Sequence, residues 1–197
     1  ANLVPRFFHP TKGRVLLDGQ DLTNLKLTSL RANIALASQE TTLFNDTVAA
    51  NIAYGDMGRE TEAKITAAAQ AAHAMEFIRK MPQGLQTMVG EHGVKLSGGQ
   101  RLRIAVARAL LRDSPVLILD ERETLQTLDF ESAHHVQAAV ETLTQGRTTL
   151  VIAHRLSTVQ KASRIVVLQK GRITEIGSHR ELLAKKGTYA KIVRTFV

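Results

Sequence analysis

Residue type and spacing first suggest chemistry at Leu96-Ser97-Gly98-Gly99-Gln100 and, further along, at the apolar run Val116-Leu117-Ile118-Leu119 closed by Asp120-Glu121. Two glycines opening a helix leave backbone N–H groups unshielded, and the helix N-terminus adds the positive end of its dipole. Ser97, Gly98 and Gly99, with Gln100 beside them, are therefore suited to seat a terminal phosphate. A carboxylate pair ending a buried strand suits a metal ion and a water. Asp120 would hold Mg²⁺, directly or through water, and Glu121 would orient and polarise the attacking water. Each segment alone also reads as an ordinary helix cap or a solvated strand end. Together, at this spacing, they point to nucleotide hydrolysis.

These side chains need elements to hold them. Arg14 to Gly19 and Ile34 to Ser38 read as strands separated by a polar stretch with turn chemistry. Residues from about 60 to 80 are alanine-rich, with Ile65, Ala68, Ala72, Met75 and Ile78 near helical spacing, and the helix opened by Gly98-Gly99 follows a glycine-punctuated loop. After this helical insertion come a strand over 115–120, a helix near 130–145, a strand from Thr148 to Ala153, a short helix, two strands flanking Lys170-Gly171, and a helical tail. Strands alternating with helices predict a largely parallel sheet whose ligands lie beyond the C-terminal strand ends. Glu121 and His154 fall there. Arg101, Arg108 and Arg112 lie on one side of the post-glycine helix, opposite Ile104, Ala107 and Leu111, which predicts a surface helix.

Composition narrows the classes. A chain of 197 residues with 44% apolar content can bury a real core. No apolar stretch approaches the ~18 residues of a membrane-spanning helix, and Ala-Asn-Leu-Val-Pro-Arg at the start lacks signal-peptide order. Without cysteine there are no disulfides and no thiolate metal sites. The net charge of +8 is spread along the chain as solvated surface, and with two tyrosines, six phenylalanines and no tryptophan, stacking platforms for single strands are poorly supplied. No nucleic-acid partner is expected. His134 and His135 are adjacent rather than four apart, so they do not make a metal pair with each other on one helix face.

The run Leu96 to Leu110 resembles the signature motif and following helix of ABC-transporter ATPases, and Val116 to Glu121 resembles their Walker B strand. Val151-Ile152-Ala153-His154-Arg155-Leu156-Ser157-Thr158 is similar to the switch-histidine loop of ABC exporters. Ser38-Gln39, with Leu43 to Val48 and Asn51 to Gly55, resembles their Q-loop region, and Thr87 to Gly93 their X-loop. The likeness covers nearly the whole chain and is closest to the bacterial lipid A flippase type. It implies a P-loop NTPase-like α/β fold, mostly parallel, with an ABC helical subdomain: a catalytic core of residues 1–54 and 113–197 and a helical signature subdomain of about 55–112. It further implies ATP and Mg²⁺ as cofactors, with Gln39 sensing both, His154 catalytic beside Glu121, and Asp129 in the D-loop at the nucleotide. The implied partners are transmembrane domains of the same exporter, met through the Q-loop and X-loop regions, and a second copy arranged head to tail. The implied cargo is lipid or another hydrophobic substrate, and the implied location is the cytoplasmic face of the bacterial inner membrane.

Two departures from the family pattern stand out. No Gly-x-x-x-x-Gly-Lys-Ser/Thr phosphate loop occurs in these residues, and Gly90 to Ser97 lacks the adjacent Gly-Lys. In the family that loop lies immediately before the segment matched by Ala1-Asn2-Leu3-Val4, so the chain reads as a fragment beginning just after it, inactive by itself. After Glu121 the chain runs Arg122-Glu123-Thr124-Leu125-Gln126-Thr127-Leu128-Asp129, two residues longer than the family's Glu-Ala-Thr-Ser-Ala-Leu-Asp. Counting forward from the strand selects Glu121 as the base; counting back from Leu128-Asp129 selects Glu123. The strand anchors the forward count, and extra residues are absorbed more easily in a loop. Alternative readings are an SMC- or Rad50-type DNA-maintenance ATPase lobe, which would explain a missing phosphate loop, and a non-catalytic interaction module. The Q-loop and X-loop segments and the absence of sustained heptads favour the exporter.

Overall fold

A computed structural model describes residues 1–38, 42–120 and 130–195. The chain forms two compact units, Ala1–Ile152 and Ala153–Val197.

The first unit opens with a short antiparallel hairpin, β1 (Leu16–Leu17) and β2 (Gln20–Asp21). The strand expected over Arg14 to Gly19 is shorter than the sequence suggests, because Asp18 (φ 49°) and Gly19 (φ 78°) take left-handed conformations and form the two-residue turn. Asp-Gly favours such turns because both central residues need positive φ. Helix α1 (Leu27–Ala32) leads into β3 (Ile34–Ser38). Three helices then intervene: α2 (Val48–Ile52), α3 (Glu62–Ala71) and the single turn α4 (Met75–Ile78). The threonine hydroxyls of Thr47 and Thr61 cap α2 and α3 by accepting from Ala50 and Lys64 amides. The long helix α5 (Gly98–Arg112) follows, then β4 (Val116–Asp120), α6 (Phe130–Thr144) and β5 (Thr148–Ile152).

Strands β3, β4 and β5 form a parallel sheet with β4 in the middle. Because side chains alternate, β4 sends Leu117 and Leu119 into one core and Ile118 into another. The larger core joins the sheet to the helical insertion through Leu43, Ile52, Ile78, Val89, Ile104 and Val106. The smaller, on the opposite face, gathers Leu22, Leu30 and Ile34. Both faces of β4 are thus covered, as a parallel strand requires.

Helix α5 is not the surface helix that arginine spacing predicts. Arg103, Ile104, Ala105, Val106, Ala107 and Ala109 are all buried, and the helix packs against α2, α3, α6 and β3. Small alanines let those elements approach closely, while the arginines reach outward along apolar stems to backbone carbonyls. Arg103 donates to His73 O (3.1 Å), Arg108 to Asn51 O (2.8 Å) and Arg112 to Arg31 O (3.1 Å). The same pattern recurs with Arg6 to Leu22 O and Leu25 O and with Arg147 to Ser114 O. Part of the basic charge that reads as solvated surface in the sequence therefore fastens loops to the core.

The second unit contains α7 (Leu156–Lys161), the antiparallel hairpin of β6 (Ile165–Gln169) and β7 (Arg172–Gly177), α8 (His179–Ala184) and α9 (Thr188–Thr195). Lys170 and Gly171, both at positive φ, make its turn. Val167, Leu182 and Tyr189 form its core.

Candidate functional site

Ser97 is the N-cap of α5 and forms a reciprocal capping box. Its hydroxyl oxygen accepts from the Gln100 amide (3.3 Å), and the Gln100 side-chain oxygen accepts from the Ser97 amide (3.0 Å). This division of labour matters chemically. The Ser97 O–H remains able to donate, and the first-turn amides of Gly98 and Gly99 have no intrahelical acceptor. Ser97 is exposed, Gly98 half-buried and Gly99 buried, so the cap lies at the surface and the helix behind it in the packed interior. A phosphate oxygen fits that donor set. Gln100, expected at the nucleotide, has its side-chain oxygen turned back into the cap.

The approach to Ser97 is tightly built. Gly90, His92 and Gly93 all have positive φ. A Cβ on Gly93 would stand 2.8 Å from Leu43 Cδ1 and 3.3 Å from Arg101 Cδ, so the backbone passes where only glycine fits. Arg101 in turn donates to Leu96 O (3.1 Å), tying the first turn of α5 to the residue before its cap.

Asp120 ends the central strand. Its register partners are Ser38 on β3 and Ile152 on β5, so three parallel strands finish level with one another. The half-buried Asp120 presents a hard oxygen donor at that edge, the donor type that Mg²⁺ prefers. Gln39 directly follows Ser38 and Glu121 directly follows Asp120, but Gln39, Glu121, Glu123 and Asp129 lie outside the described residues. His154 lies two residues along the chain from Ile152, is exposed, and belongs to the second unit.

The segments resembling the Q-loop and X-loop regions are joined directly. Thr47 and Met88 form an antiparallel bridge, Val48 donates to Thr87 O (3.0 Å) and Val89 to Asp46 O (3.1 Å). Asn51, given no role by the sequence, organises this junction. It is fully buried; its side-chain oxygen accepts from the Phe44 amide (2.8 Å), and its side-chain nitrogen donates to Phe44 O (3.0 Å) and Thr47 O (2.9 Å). Phe44 and Tyr54 stack at 4.2 Å, both partly exposed, and Arg108 lies over the Tyr54 ring. Burial pulls the Arg108 guanidinium below the usual arginine range, partly offset by Tyr54. The signal for Asn51 in sequence was slight: a polar residue between apolar Val48 and Ile52 on a short helix.

A family model described as ABC transporter matches residues 1–124, more than half of the chain. The chain belongs to the ABC transporter family. It is 60% identical over 192 residues to an ATP-dependent lipid A-core flippase of Thiobacillus denitrificans, covering 98% of this chain and 33% of that protein. Over 194 residues it is 58% identical to an ATP-dependent lipid A-core flippase of Dechloromonas aromatica, again covering 98% and 33%. A solved bacterial Atm1-family ABC exporter with ATP bound superposes with a TM-score of 0.88 at 43% identity, over 98% of this chain and 33% of that one. The chain therefore spans about a third of the length of the relatives it matches. That third has the nucleotide-binding domain fold of an ABC exporter, and the DNA-maintenance ATPase reading is not favoured. The relatives are membrane exporters; among the described residues of this ABC chain no helix is long and apolar enough to cross a membrane.

Proposed function

We propose that this chain is the part of a lipid-exporting ABC transporter that binds ATP and Mg²⁺ and couples hydrolysis to movement of lipid, of the lipid A kind, or another hydrophobic substrate. The observation that carries the reading is the level ending of β3, β4 and β5 at Ser38, Asp120 and Ile152, combined with a glycine-opened α5 capped by the exposed Ser97. Residues 1–54 and 113–197 act as the catalytic core and about 55–112 as the signature subdomain.

Bound Mg²⁺ would neutralise charge on the phosphates during transfer. Asp120 and Gln39 would hold that ion. Glu121 orients the attacking water and accepts its proton, and His154 steadies the transferring phosphate. Ser97, through its O–H, and Gly98 and Gly99, through their amides, donate to a terminal phosphate carried by the opposing copy of a head-to-tail dimer, with Asp129 at the dimer seam. The exposed Phe44–Tyr54 stack and Met88, on the bridged segments, offer an apolar face to the transmembrane domains. This puts the domain at the cytoplasmic face of the inner membrane.

Residues 1–197 alone have negligible ATPase activity, because the lysine and amide cradle of a phosphate loop are missing from them. The decisive experiment uses the complete transporter. Glu121→Gln abolishes steady-state hydrolysis while ATP still binds, and Glu123→Gln has a much smaller effect. Greater damage from Glu123→Gln would move the base two residues along the loop.

A further inference from the structure

Away from the nucleotide site, His73, Glu76 and His135 converge from separate parts of the first unit. His73 follows α3, Glu76 lies on α4, and His135 lies on α6. His73 Nδ1 is 3.2 Å from Glu76 Oε1, and His135 Nε2 is 3.3 Å from Glu76 Oε2. One ligand atom from each residue lies within 4.8 Å of the others, and the two imidazole centroids are 5.4 Å apart. Tetrahedral Zn²⁺ with bonds of about 2.0–2.1 Å separates its ligand atoms by roughly 3.3 Å. Each histidine stands at that spacing from one oxygen of the Glu76 carboxylate, His73 from Oε1 and His135 from Oε2, so a small rotation of the carboxyl brings one oxygen and both imidazoles around a single ion.

The convergence is imposed by the fold. His73 takes a left-handed φ of 53°, between the fully buried Ala72 and Ala74, so its backbone is held at a conformation that suits few side chains. Its carbonyl accepts from Arg103 on α5. The ring consequently points at Glu76 from a fixed base, and His135 reaches the same carboxylate across sixty residues of chain. Glu76 is about half exposed and His135 about a quarter, which leaves room for a water as fourth ligand.

We propose that His73, Glu76 and His135 form a binding site for a divalent transition-metal ion of borderline softness, of which Zn²⁺ is the type, linking α4 to α6. Two imidazoles and one carboxylate are the donor set such ions select, and the chain has no thiolate to compete. Arg103 sets the strength. Its Nη1 stands 3.5 Å from Glu76 Oε2, and its guanidinium packs over Phe77. That positive charge opposes a cation, so the ion is held more weakly than at an uncompensated carboxylate and is exchangeable. The site lies outside the groups assigned to ATP, so its failure would leave the proposed function standing.

The test uses the intact transporter carrying a histidine-free affinity tag, stripped with chelator and titrated with Zn²⁺ without nucleotide. Wild type takes up one more Zn²⁺ per protomer than the double variant His73→Gln/His135→Gln, each single variant weakens that binding at least about tenfold, and His134→Gln leaves it unchanged. ATP binding by every variant verifies folding. X-ray absorption at the zinc edge of the wild type, loaded with one equivalent, shows two imidazoles and no sulfur. Equal uptake by wild type and the double variant, or a spectrum without paired imidazoles, overturns the site.

Discussion

Asn51 shows how one side chain can set the geometry of a functional loop. Its amide closes the turn between Phe44 and Thr47, so Asn51→Ala removes the acceptor of the Phe44 amide, while Phe44 O and Thr47 O lose one donor each and keep the backbone amides of Asp46 and Asn51. The expected cost is about 1–3 kcal/mol, read as a lower urea midpoint at unchanged slope; a shift under ~0.5 kcal/mol would mean the loop is held otherwise. A second residue-scale prediction concerns acid. Hydrogen bonds from Ser178, first its amide and then its side chain, hold the Glu181 carboxyl below the usual glutamate range. A depressed folded value contributes stability above the unfolded value and loses it as pH falls through the folded one. Glu181→Gln should therefore lower the thermal midpoint at neutral pH and have little effect in acid, narrowing the pH dependence.

Among the elements, α5 unites the first unit. Its N-terminus carries the proposed phosphate donors, its centre fills the main core, and its arginines fasten the chain at His73, Asn51 and Arg31. What positions its first turn is the close passage of Gly93 against Leu43 and Arg101. Gly93→Ala combines a left-handed backbone with that contact and should cost about 1–3 kcal/mol. Gly13→Ala, at a similar φ in open space, isolates the conformational part and should cost about 1 kcal/mol. Equal urea midpoints for the two variants would remove the steric contribution.

For the whole molecule the proposed head-to-tail pairing predicts sites shared between copies. In the complete transporter, Gly99→Asp sets a side chain and a negative charge against a phosphate held by the opposite subunit. When a Gly99→Asp subunit is covalently linked to one lacking its phosphate-loop lysine, both defects fall in one composite site and the other stays whole. Nucleotide trapping should then find one closed, occupied site per dimer. Two damaged sites would mean that each signature serves its own subunit.

What the sequence determined by itself was local: the glycine-opened helix, the apolar strand ending in Asp120, the turn at Lys170-Gly171, and the alternation that requires a parallel sheet. These follow from backbone preference and side-chain periodicity within a few residues. Periodicity also misled, assigning α5 to the surface, because a basic stripe looks the same whether its guanidiniums meet water or buried carbonyls. The tertiary structure decided the rest. Register alone levels Ser38, Asp120 and Ile152, long-range packing alone buries Asn51 and Arg103, and chain crossing alone brings His135 to His73 and Glu76. Such contacts join residues far apart in the chain, where no local pattern carries their partner's position.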